Sequence, residues 1–141
     1  MVKRSVKFLP PAQTQQMRKL AKRAQLSLSR FAGMEVQYNA VGLQLLDEWI
    51  ERHVRQFPNP SQDVMTLWGA FLGEVFRERF NGEWAVDQST QKPRLGVLCP
   101  CKDSGLIFIE IMEQIRRRIN EGMSESLTYY YTLKGIELKS E

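Results

Sequence analysis

Apolar and polar positions along this chain follow two periods, and the change from one to the other falls just past the middle. Val64, Leu67, Trp68, Phe71, Leu72, Val75, Phe76 and Phe80 recur at i, i+3, i+4 and i+7, the spacing of a helix that buries one face. Glu74, Arg77, Glu78 and Arg79 are expected on its wet side. Ser61 is placed to cap the free amides, Asp63 adds negative charge beside them, and Pro58 and Pro60 forbid an earlier start. Asn81-Gly82 supplies the left-handed residue that closes a helix. Gly69 and Gly73 break the pattern; each weakens an isolated helix by about 1 kcal/mol relative to alanine. Their expected use is to let another element approach the backbone. Beyond Gly82 the period falls to two. Glu83 to Asp87 and Arg94 to Leu98, joined by the polar turn Gln88 to Pro93, read as an antiparallel hairpin.

The flanks are read in the same way. Residues 1 to 9 alternate loosely and form either a short edge strand or an unordered lead, ended by Pro10-Pro11. Pro11 to about Ala24 reads as a helix with a narrow stripe of Met17, Leu20, Ala21 and Ala24. Gln25 to Gly33 (QLSLSRFAG) is expected to be an irregular connector. A second helix, from about Asn39 to Gln56, is expected to turn Leu43, Leu46, Trp49, Ile50, Val54 and Phe57 inward and Asp47, Glu48, Glu51, Arg52 and Arg55 to water. Its short link to the central helix predicts an antiparallel helical hairpin. Leu106 to Ile109 is either a third strand or the apolar start of a helix that runs to Asn120. Ser124 to Leu127 opens a last helix or turn carrying Tyr129, Tyr130 and Tyr131, ended by Gly135 and followed by a tail over residues 136 to 141. The fold class is therefore α+β: a helical hairpin on a two- or three-stranded antiparallel sheet, with C-terminal helices. The expected organisation is a basic segment over residues 1 to 35 and one domain over residues 36 to 135.

Composition narrows the class. A length of 141 residues, 43% hydrophobic and 26% charged, is that of one ordinary globular domain. No apolar run is long enough for a bilayer, and MVKRSVK is followed by too few apolar residues for a signal peptide. With two cysteines, this points to a cytoplasmic protein with no membrane partner. Charge changes the picture more. The first 30 residues carry +8 and no acid, against +4 for the whole chain, so the other 111 carry −4. Lys3, Arg4, Lys7, Arg18, Lys19, Lys22, Arg23 and Arg30 are thus candidates for contact with nucleic-acid phosphates. The competing reading is an ordinary water-facing arm or a helix docked on the acidic body.

Catalytic patterns are sparse. Cys99-Pro-Cys101 is C-x-C, not C-x-x-C, with no second pair to complete a metal site, and reads as two turn cysteines. His53 stands alone, which excludes histidine-pair mechanisms. Most carboxylates have basic neighbours three or four residues on, as on a water-facing helix. Arg116, Arg117 and Arg118 cannot share one helix face and read as surface charge near a helix C-terminus. There is no phosphate-binding glycine loop, nucleophile elbow or zinc helix. No catalytic residue, cofactor or metal is assigned.

The block Leu67-Trp-Gly-Ala-Phe-Leu-Gly-Glu-Val-Phe, then Phe80-Asn-Gly-Glu-Trp84, then Glu121-Gly-Met-Ser-Glu-Ser-Leu127, resembles a family of small bacterial domains of unknown function. Gly69, Gly73, Glu74, Gly82 and Trp84 carry the likeness, over about residues 41 to 130. It implies helices on a small antiparallel sheet and no particular activity. Some such domains resemble partner-binding proteins, so the resemblance favours binding over catalysis. The expected function is a protein-binding or structural module, with self-association as one form of it. The first alternative is a nucleic-acid-binding accessory protein. The second is a small-ligand binder or enzyme with a cleft at Gly69, Gly73, Glu74 and Trp84.

Overall fold

The computed structural model of the chain describes residues 5–102 and 105–139. In chain order the elements are β1 (Val6–Phe8), α1 (Pro11–Ala32), α2 (Ala40–Gln56), α3 (Gln62–Phe80), β2 (Glu83–Asp87), β3 (Arg94–Pro100), β4 (Leu106–Glu110), α4 (Met112–Glu121), a 3-10 turn (Gly122–Glu125) and α5 (Leu127–Lys139). The architecture is α+β, and among the described residues no helix is long and apolar enough to cross a membrane.

The organising helix is α3. Ser61 Oγ accepts from the Val64 amide at 3.2 Å, and Asn81 closes the helix at φ 60°. Every residue from Trp68 to Phe76 is buried, so the middle of α3 meets protein on all sides and has no wet face there. Gly69 and Gly73 make this possible. A Cβ at Gly73 would overlap the Trp84 indole, and one at Gly69 would overlap the Met112 thioether. Their expected role, close approach of neighbouring elements, is what the structure displays.

Among the described residues the sheet has four strands in the order β1-β2-β3-β4, all antiparallel, where two or three were expected. The added strand is the edge β1, whose Val6 stands opposite Asp87 and whose Phe8 stands opposite Ala85. Ser5 and Leu9 extend the pairing through bonds of 2.9 and 3.1 Å with Gln88 and Trp84. Leu106 to Glu110 is a strand, and α4 follows directly. Trp84, Val97 and Ile109 stand in one cross-strand row, all buried, facing the helices. Phe8, Ala85, Gly96 and Glu110 form the row beside it on the opposite face.

Two helices run further than expected. α1 continues through Gln25–Ala32, because Leu28 prolongs the stripe of Met17, Ala21 and Ala24 and is fully buried. Ser27 and Ser29 are weak helix formers, but Ser29 Oγ donates to the Gln25 carbonyl at 2.8 Å and accepts from the Val36 amide at 3.1 Å. Gly33, at φ 70°, ends the helix. α1 packs on α3 more extensively than α2 does, so the leading helical pair is α1 with α3. At the other end, α5 runs through Gly135 to Lys139 and buries Leu138, where a break and a tail were expected. Tyr130 and Tyr131 pack against the core, while Tyr129 is 58% exposed.

Three charges expected in water are buried. Asp47, Glu74 and Arg118 are 2%, 2% and 1% exposed. Arg118 Nε donates to Asp47 Oδ1 at 2.9 Å, and its Nη2 reaches the Asp47 carbonyl at 2.9 Å and Glu51 Oε1 at 3.1 Å. The same Asp47 carboxylate accepts from the Leu127 and Thr128 amides at 2.9 and 3.1 Å and from the Thr128 hydroxyl at 3.0 Å. An aspartate on α2 thus caps the start of α5, with Ser126 Oγ accepting from the Tyr129 amide beside it. Three helices are tied at one carboxylate.

Gly73→Ala is expected to destabilise by about 2 kcal/mol through overpacking against Trp84, although alanine is the better helix former; the midpoint of urea unfolding measures it. Asp47→Ala strands a buried guanidinium and uncaps α5, and is expected to cost about 4 kcal/mol. The double variant Asp47→Leu/Arg118→Met should recover most of that loss, leaving a deficit of about 1 kcal/mol from the missing cap.

Candidate functional site

Pro10-Pro11 sets the start of α1, where a missing amide costs nothing, and the stripe Met17, Ala21, Ala24 and Leu28 fixes its inner face. Rotation by 100° per residue then decides what the outer face carries. Gln15, Gln16, Lys19, Lys22, Arg23 and Arg30 fall there, with Arg18 at its margin, and all are exposed. Lys7, on the edge strand before the helix, is exposed as well. Lys3 and Arg4, the other two candidates for phosphate contact, lie outside the described residues.

Among the described residues most arginines beyond α1 are ion-paired, Arg52 and Arg79 excepted, whereas on α1 such pairing is rare. Arg55, Arg77, Arg94, Arg116, Arg117, Arg118 and Lys134 each lie within 4.0 Å of a carboxylate. On α1, Arg18 alone approaches one, with its Nε at 4.0 Å from Glu74 Oε1 and its side chain 53% exposed. Among the described residues, Lys7, Lys19, Lys22, Arg23 and Arg30 make no ion pair or side-chain hydrogen bond. The helix is docked through its apolar face, and its charge is left facing water.

Beside this ridge lies a hollow of about 380 Å³ between α1 and α3, lined by Arg18, Lys22, Gln25, Tyr38, Glu74 and Glu78 among others. Glu74 Oε2 accepts from Trp84 Nε1 at 2.8 Å, and both carboxylate oxygens accept from Arg77 Nε, at 3.0 and 3.1 Å. Burial first, then the Glu74 and Glu78 carboxylates, push the Tyr38 phenol up to about 12, so it keeps its proton at neutral pH. Gln25 spends its amide on the Val36 carbonyl at 2.7 Å. The hollow therefore offers a cationic lip over a floor whose donors and acceptors largely serve one another. Of the four residues expected to form a cleft, only Glu74 lines it. Gly73 meets Trp84 and Gly69 meets Met112 as close packing, not around a space.

The other candidates are dispersed. Cys99 is a core residue of β3, not of a turn, and burial pushes its thiol up to about 12. His53 sits edge-on to Trp68 at 5.2 Å and against Phe57 at 5.1 Å. Among the described residues no group of three His, Cys, Asp or Glu side chains is placed to hold a metal. On the outer sheet face Arg94 joins Asp87 at 2.6 Å to Glu110, which also meets Arg117 at 3.3 Å. Bonds from Ser89, then Arg94, hold the Asp87 carboxyl below its ordinary range, and burial only partly opposes them.

Sequence reasoning missed Tyr38, the Asp47–Arg118 pair and the Arg94 network. For the pair a signal existed. Asp47 stands at the helical spacing of Leu43, Leu46 and Ile50, and Arg118 stands at that of Ile111 and Ile115. No family model, curated protein or solved structure matches this chain.

Proposed function

We propose that the chain is a non-catalytic binding module whose α1 face holds a polyanion, with nucleic acid as the ligand. One observation carries this reading: a row of cations, all but Arg18 without a carboxylate partner among the described residues, exposed on a helix whose opposite face is locked in the core. From Arg18 to Arg30 the ridge spans about 18 Å at 1.5 Å per residue. Duplex DNA presents a negative charge every 1.7 Å or so of its axis, so such a ridge meets several phosphates at once. Gln15 and Gln16 extend the face with neutral donors. The ridge holds charge but no aromatic platform, which favours backbone contact over base stacking. The kinship with small bacterial domains suggested by Gly69, Gly73, Glu74, Gly82 and Trp84, and a cytoplasmic location, belong to the same proposal.

Fluorescence anisotropy with a labelled 20-base-pair duplex tests it. Neutralising about four phosphates predicts roughly a hundredfold loss of affinity between 50 and 200 mM salt. Lys19→Glu/Arg23→Glu, both exposed positions, is expected to abolish binding while leaving the circular dichroism spectrum unchanged. Absence of binding at 50 mM salt, or binding indifferent to that variant, overturns the reading.

A second reading, a protein partner or self-association, is favoured by α5. Besides its core stripe it carries Tyr129, Leu133 and Ile136 at i, i+4 and i+7, which are 58%, 43% and 59% exposed. Light scattering should then give a mass above that of one chain, falling to the monomer's in Leu133→Glu; a monomer in both removes self-association.

A further inference from the structure

The end of α3 and the length of α5 enclose a groove that the polyanion reading does not use. It occupies about 520 Å³ and is lined by Arg79, Phe80, Tyr131, Gly135, Ile136 and Lys139, with Thr132 at its side. Gly135 opens it. The residue lies inside a continuous helix, and a Cβ there would come within 3.3 Å of Phe80 Cζ, so a longer side chain would fill the space. The floor is carbon: the Phe80 and Tyr131 rings meet at 5.7 Å, and Phe76 packs against both. Ile136, 59% exposed, forms one wall. The Thr132 hydroxyl is turned to the Thr128 carbonyl at 3.0 Å.

Among the described residues, the charged groups that line the groove are both cations. Arg79 and Lys139 are exposed, and among the described residues neither is ion-paired. A neighbouring hollow of about 450 Å³ shares Arg79 and Tyr131 but contains the carboxylate of Glu78, which repels an anion from that side. The complement of a carbon floor between two cations is a molecule with a hydrocarbon tail and one anionic head. We propose that this groove binds an aliphatic carboxylate, its chain lying on Phe80, Tyr131 and Ile136 and its head between Arg79 and Lys139. The volume falls within the range of small-ligand sites. The tail supplies affinity through apolar area removed from water, and the cations set the sign of the head group.

The test is a titration of the ¹⁵N-labelled full chain with dodecanoate below its micelle concentration, followed by amide chemical shifts. Dodecyltrimethylammonium, with the same tail and the opposite charge, is the control. The expected result is a saturable shift confined to Arg79, Phe80, Gly135, Ile136 and Lys139 for the carboxylate and none for the ammonium. Gly135→Leu should remove it, and Arg79→Glu should weaken it about fivefold. Should Gly135→Leu fail to fold, Ile136→Asp, at an exposed position, must cause a comparable loss. Non-saturable shifts, equal response to both surfactants, or binding that survives a folded Gly135→Leu or Ile136→Asp overturns the assignment.

Discussion

Trp84 rests on bare backbone at Gly73, and this contact sets the distance between the two layers of the molecule. An indole is the largest group a strand can present to a helix, and here it fits because the helix presents nothing in return. Its ring nitrogen is taken by Glu74, one residue along the same helix, so both the apolar and the polar parts of the side chain are fixed by one turn of α3. Val97 and Ile109 continue the row across the sheet, and Met112 meets α3 at Gly69 one turn earlier. The cost of two glycines in a helix interior is offset by the burial they permit on either side.

The other long-range constraint is polar. Asp47 receives a guanidinium from α4 and the first amides of α5, so the C-terminal helices are held to α2 by directional bonds as well as apolar area. A buried ion pair of this kind contributes little net stability compared with an apolar replacement, but removing one partner is severe. Its clearest effect here is on position: α5 begins where the carboxylate is, and Tyr130 and Tyr131 are thereby brought onto Phe76.

What is legible in the sequence, and what is not, divides along the same line. Helical and strand periods place α2, α3, β2 and β3 within a few residues, because side-chain burial is written directly in their spacing. Residues 25 to 32 read as a connector because serine propensity argues against helix, while the packing of Leu28 and the bonds of Ser29 decide the outcome. Gly135 reads as a stop, although a glycine closes a helix by taking the left-handed conformation and Gly135 does not take it. Asp47 and Arg118 read as water-facing because charge outweighs their position on an inward stripe, and Glu74 because its side of α3 is covered only by distant segments. The α1 cations are legible as a cluster, but that all except Arg18 stay clear of a carboxylate among the described residues depends on which way the helix docks. The α3–α5 groove is not legible, since it exists only where two distant segments meet.

The outer face of α1 has an energetic consequence for the fold itself. Like charges held at fixed spacing on a packed helix repel one another, and the chain cannot relax them without undocking Met17, Ala21, Ala24 and Leu28. Part of the folding free energy is thus held as electrostatic strain, larger in dilute buffer than at high ionic strength. A bound counter-anion relieves it and adds the stabilisation of any ligand specific to the native state. Resistance to heat, compared between dilute buffer and added anion, would therefore read out that relief whatever the identity of the anion.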